Sequence, residues 1–128
     1  MADLAQFDTL AQAQEDGIDV PIKAPDGSET DIVIRVAGPD SARVRKARQK
    51  IADKHLRDRR RKSLSAEELE ERDLDLLSQA VISWANVEMS GQPIECTVEN
   101  VEMVLRRLPF IREQVDAAVG DRASFMKS

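Results

Sequence analysis

The sequence predicts a mainly α fold with a small β-hairpin, an α+β arrangement of about four helices in which the N-terminal hairpin packs on or beside a helical core. Three observations carry this. Two β-branched runs flank a Pro-Asp-Gly-Ser turn near the N-terminus, long downstream segments place apolar residues at steps of three to four, and 34% of residues are charged against 3% aromatic. High charge with few flat rings favours solvated helices over a β-sandwich, whose core leans on aromatic anchors. A chain of 128 residues fits one domain. The expected organisation is a single domain over 1–128, with a mobile N-terminal helix in 1–15, the hairpin in 18–37 and the helical core in 40–126.

Element by element, Leu4, Phe7, Leu10 and Ala11 fall at helical spacing, but an isolated helix this short is marginal in water, so the segment reads as a docking piece rather than core. Ile18, Val20 and Ile22 alternate, Pro25-Asp26-Gly27-Ser28 turns the chain, and Ile32-Val33-Ile34-Arg35-Val36 follows, which spells a hairpin. Two strands alone are barely stable, so the hairpin is expected to lie on helices or to pair with another copy of itself. Gly38-Pro39-Asp40-Ser41 ends the strand and offers Asp40 or Ser41 as the N-cap of a helix that runs to about Lys62. Its apolar stripe is thin: Val44, Ala47, Ile51 and His55.

Ser65-Ala66-Glu67-Glu68 is a capping box, so the next helix begins at Ala66. Leu69, Leu74, Leu77, Ala80, Val81, Trp84 and Val87 give it the broadest apolar face in the chain, and it is expected to run on to the stop Ser90-Gly91-Gln92-Pro93 as the central helix. Ile94-Glu95-Cys96 is extended. Thr97 caps a helix with Val98, Val101, Val104, Leu105 and Leu108 on its face, and Pro109 opens a last helix carrying Phe110, Ile111, Val115, Ala118 and Val119.

Cys96 is the only cysteine, which rules out an internal disulfide and points to a reducing compartment. Asp3 and Asp8 stand where a secretory signal needs basic residues, and no stretch approaches the roughly 20 apolar residues of a membrane span, so a cytosolic protein without a membrane partner is expected. Neither a glycine-rich phosphate loop, nor a histidine pair at metal spacing, nor a serine elbow occurs in the sequence. His55 is the sole histidine and reads as a half-buried packing residue; Cys96 reads as a small buried hydrophobe. The expectation is a non-enzyme with no cofactor and no metal.

Charge is segregated. Between Ser41 and Lys62 there are eleven Lys or Arg against Asp53 and Asp58, a segment of +9, while the remainder carries −14 and the whole −5. Such a helix could grip phosphates, and a small nucleic-acid-binding regulator using Arg43–Lys62 is the alternative reading. The preferred reading pairs it with protein. Glu67, Glu68, Glu70, Glu71, Asp73 and Asp75 open the following helix, so an antiparallel helical pair would set acids beside bases. A homo-oligomer joined head to tail, the basic helix of one copy meeting an acidic surface of the next, is the associated hypothesis. Monomeric behaviour at low salt and high concentration would sink it.

As candidate interface residues, Arg57, Arg59, Arg60 and Arg61 follow the last apolar residue of their helix and have no packing reason to be there. Phe110, Ile111 and Val115 continue an apolar face near the chain's end that could be handed to a partner, against the plainer reading of core packing.

The stretch from Trp84 to Phe125 resembles the small tail assembly chaperones of long-tailed, siphovirus-type bacteriophages and prophages. The pattern is a helix ending in Trp84, Gly91-Gln92-Pro93, Thr97-Val98-Glu99-Asn100 opening a helix, then Leu105, Leu108-Pro109-Phe110-Ile111, Gln114-Val115 and Asp121-Arg122-Ala123-Ser124-Phe125. Upstream, the strand before Gly38-Pro39-Asp40-Ser41 and the arginine-rich helix after it are similar too. The resemblance implies a non-catalytic, cofactor-free protein of the host cytoplasm that binds the tape measure protein, helps recruit tail tube subunits during virion morphogenesis, and is not in the finished virion. It carries over no binding residues.

Overall fold

The computed structural model describes residues 2–57 and 65–126. A 3-10 turn (Leu4–Phe7) leads into α1 (Asp8–Asp16), followed by β1 (Ile18–Lys23), β2 (Glu29–Val36), α2 (Ala42–Arg57), α3 (Ala66–Ala80) and β3 (Val81–Ala85). The short strands β4 (Glu88–Met89) and β5 (Gln92–Pro93) precede α4 (Val98–Arg107), α5 (Pro109–Gly120) and a closing 3-10 segment (Arg122–Met126). The mainly helical α+β class holds, with five α-helices among the described residues where about four are expected.

The hairpin forms as its turn chemistry dictates. Gly27 takes φ +89°, and the Asp26 carboxylate accepts from the Ser28 N–H at 2.9 Å and the Ser28 hydroxyl at 2.6 Å. β1 and β2 then pair antiparallel, with Val20 opposite Ile34.

β2 acquires a second partner on its other edge. Residues Val81–Ala85, expected to continue the central helix, form a third strand in the order β1-β2-β3, with Trp84 opposite Ile34. The helix stops at Ala80, whose carbonyl accepts from the Ala37 N–H at 2.9 Å. Val81-Ile82 is β-branched and loses little by leaving the helix, while β2 gains a ladder it would otherwise lack. The hairpin is therefore stabilised both by lying on the helices, as expected, and by a third strand of its own chain.

The capping residues lie where the sequence places them. The Ser41 hydroxyl accepts from Val44 N–H at 3.3 Å and donates to Gly38 at 2.7 Å, Ser65 accepts from Glu68 N–H at 3.2 Å, and Thr97 accepts from Asn100 N–H at 3.1 Å. Pro109 occupies the first turn of α5.

The core lies between one face of the sheet and helices α3, α4 and α5, with Ile34, Val36, Leu74, Leu77, Leu105 and Phe125 among its most deeply buried members. α1 is tied to this body by Gln14, which is 2% exposed. Its backbone carbonyl accepts from Gly38 N–H at 2.9 Å, and its side-chain oxygen accepts from Asp40 N–H at 2.6 Å.

Candidate functional site

The basic helix α2 is fixed at its start by contacts from distant parts of the chain. Glu15 of α1 accepts from the Ala42 N–H at 2.7 Å, placing a carboxylate at the positive end of the helix, and the Arg122 guanidinium grips Asp40 just before it. Val44, Ala47 and Ile51 are buried, which aims Lys46, Lys50 and Arg57 outward. Arg57 is exposed; the accompanying candidates Arg59, Arg60 and Arg61 lie outside the described residues.

The acidic start of α3 finds partners that the sequence reading does not anticipate. Arg106 of α4 donates both terminal guanidinium nitrogens to Glu71 and one of them also to Glu102, and Arg112 of α5 reaches Asp73 at 3.3 Å. The Arg106 guanidinium beside it holds the Glu71 carboxyl below its ordinary range. Two of the acids expected to answer the basic helix are thus engaged by arginines from the C-terminal half, because α3 packs on α4 and α5 as well as on α2.

His55 is half-buried in a cleft of about 640 Å³ between α2 and α3, shared with Lys54, Glu67, Glu71, Arg72 and Asp75. Among the described residues no group of three His, Cys, Asp or Glu is placed to hold a metal ion. Cys96 is half-buried, and burial raises its thiol above the ordinary range against a smaller opposing pull from Arg43, which leaves it a weak nucleophile. No described helix is long and apolar enough to cross a membrane.

The C-terminal candidates divide. Ile111 and Val115 are 1% and 0% exposed and belong to the core, so the plainer reading applies to them: α5 turns this face inward against the sheet and α3. Phe110 is half-buried at the core's margin.

What lies open is a neighbouring groove. Ile32 from β2, Val87 and Met89 from the end of the sheet segment, Ile94, Met103 of α4 and Leu108 line a depression of about 310 Å³, with Arg107 and Glu88 also in its wall. Its floor reaches Ile111. The groove exists because the chain doubles back after β3: β4 and β5 pair, the Ile94 N–H donates to Val87 at 2.9 Å, and the Trp84 indole N–H donates to Ile94 at 2.8 Å. No family model, curated protein or solved structure matches the chain.

The sequence reading missed this groove because it spent Trp84 and Val87 on a helix. A signal was present. Ser90-Gly91 is a two-residue turn pair, and both take positive φ, 53° and 80°, as a tight type I′ hairpin requires.

Proposed function

We propose that this protein is a non-catalytic tail assembly chaperone of a long-tailed bacteriophage or prophage, which binds the tape measure protein and helps tail tube assembly. The observation that carries the reading is the apolar groove, built almost wholly by the part of the chain that resembles those chaperones: Val87, Met89, Ile94, Met103 and Leu108. A tape measure protein is a long helical rod with exposed apolar stripes, and a helix can seat its apolar side chains in such a groove. Two methionines suit a groove that must accept successive, non-identical side chains, because the unbranched thioether adapts its shape. Exposed Leu56, Leu69 and Val98 add apolar surface elsewhere on the molecule. Several copies along one rod would hold it through avidity even where each contact is weak.

The test is co-expression with a tape measure protein of a long-tailed phage, comparing the soluble fraction of that partner with and without the chaperone. The wild type is expected to raise it, and Met89→Asp, on a side chain already 39% exposed, to abolish the gain without altering the melting temperature of the chaperone. An equal soluble fraction with and without the wild-type protein would sink the proposal.

A further inference from the structure

Four arginines elsewhere in the described structure close on carboxylates: Arg35 on Asp19, Arg106 on Glu71 and Glu102, Arg112 on Asp73, Arg122 on Asp40. Among the described residues α2 makes no such pair. Lys46, Lys50, Lys54 and Arg57 are exposed and make no hydrogen bond or ion pair with any described residue. The three lysines are spaced four residues apart, so they stack on one ridge with about 6 Å between successive positions along the axis. Like charges at this spacing oppose one another and weaken the helix that carries them. Burial of Val44, Ala47 and Ile51 fixes the rotation of the helix, with Lys46 and Lys50 turned to solvent and Lys54 at the rim of the cleft beside α3.

We propose that this ridge is a docking surface for a helix that carries carboxylates at four-residue spacing. The occupant follows from charge complementarity: an acidic helix repeats at the same rise per turn as the ridge, so successive carboxylates meet successive ammonium groups when the two axes run nearly parallel. The rest of the chain is −14, which repels a long polyanion at distances where a short acidic stripe contributes little field. α2 also contains no Phe, Tyr or Trp ring on which a base could stack. The inference rests on the reading of the protein as a holder of a helical partner, and it assigns the polar component of that contact to α2.

The experiment is fluorescence anisotropy with the full-length protein and three labelled probes: an alanine-rich helical peptide with glutamates every fourth residue, a peptide of equal composition with that spacing scrambled, and a short DNA duplex. The spaced peptide is expected to bind most tightly and to weaken between about 50 and 200 mM salt. Lys46→Glu with Lys50→Glu is expected to weaken it about tenfold, while Lys46→Arg with Lys50→Arg preserves binding, and both variants should melt as the wild type does. Equal affinity for the scrambled peptide, tighter binding of the duplex, or indifference to the charge reversal overturns the ridge assignment. Peptide binding without solubilisation of the tape measure protein overturns the chaperone reading alone; solubilisation without peptide binding overturns the ridge alone.

Discussion

The Asp40 carboxylate receives the guanidinium fork of Arg122, with Nε 2.7 Å from Oδ2 and Nη2 2.8 Å from Oδ1, across 82 residues of sequence. The pair ties the turn that launches α2 to the 3-10 segment that closes the chain. It holds the Asp40 carboxyl down at about 2, chiefly through the Arg122 bonds and then through the Gln14 amide.

A pH dependence follows. Asp40 is depressed in the folded state, so the contact contributes stability above the ordinary aspartate value of about 3.9 and loses it as pH falls through the folded value. The side chains are 51% and 58% exposed, so solvent screening limits the contribution to about 0–1 kcal/mol. Unfolding free energies of wild type and Arg122→Gln from urea titrations should differ by that amount at neutral pH and converge between pH 4 and 2; a gap that persists at the acid end would contradict the assignment.

Gly38 is required by its neighbour rather than by its own dihedral angles. A Cβ there would collide with the Cβ, Cγ and Oε1 of buried Gln14, which holds α1 to the body. Gly38→Ala is expected to cost about 1–3 kcal/mol. In a thermal-melt double-mutant cycle, Gln14→Gly should recover part of that loss, and strict additivity of the two changes would show that the collision is relieved in some other way.

Gln114 guards the outer edge of the sheet. Its amide oxygen accepts from the Lys23 N–H at 2.9 Å and its nitrogen donates to the Lys23 carbonyl at 2.8 Å, as a neighbouring strand would. Together with Pro21, which has no N–H to offer, this blunts β1 against another chain. Gln114→Ala should lower stability by about 0.5–1.5 kcal/mol per bond at most, less where water replaces the partner. Light scattering should also register more association on prolonged incubation than for the wild type.

Ile111 and Arg57 provide the contrast between core and surface. Ile111→Ala should cost about 2–5 kcal/mol, because the cavity opens in packed core. Arg57→Ala should stay within about 0.5 kcal/mol, since the side chain is exposed and unpaired among the described residues. Equal losses in chemical denaturation would reverse the roles assigned to these two residues.

Much of the fold was legible because it is written locally. The Pro25–Ser28 turn, the caps at Ser41, Ser65 and Thr97, and Pro109 at the start of α5 each act within a few residues, where spacing and side-chain chemistry suffice. The basic helix was equally plain, and its exposed row is the part of the candidate surface that charge alone reveals. The groove was not legible, since it depends on Trp84 and Val87 leaving a helix whose periodicity they also satisfy.

By itself, then, the sequence determined the class, the helix starts, the hairpin and the segregation of charge. Only tertiary structure decided that Val81–Ala85 joins β2, that Glu71 and Asp73 answer Arg106 and Arg112, and that Ile111 and Val115 face inward. The physical reason is that apolar periodicity records how much surface a segment must bury but not against what. A β-branched stretch beside an open strand edge gains more from ladder hydrogen bonds than from another turn of helix, and that edge is visible only once the chain has folded.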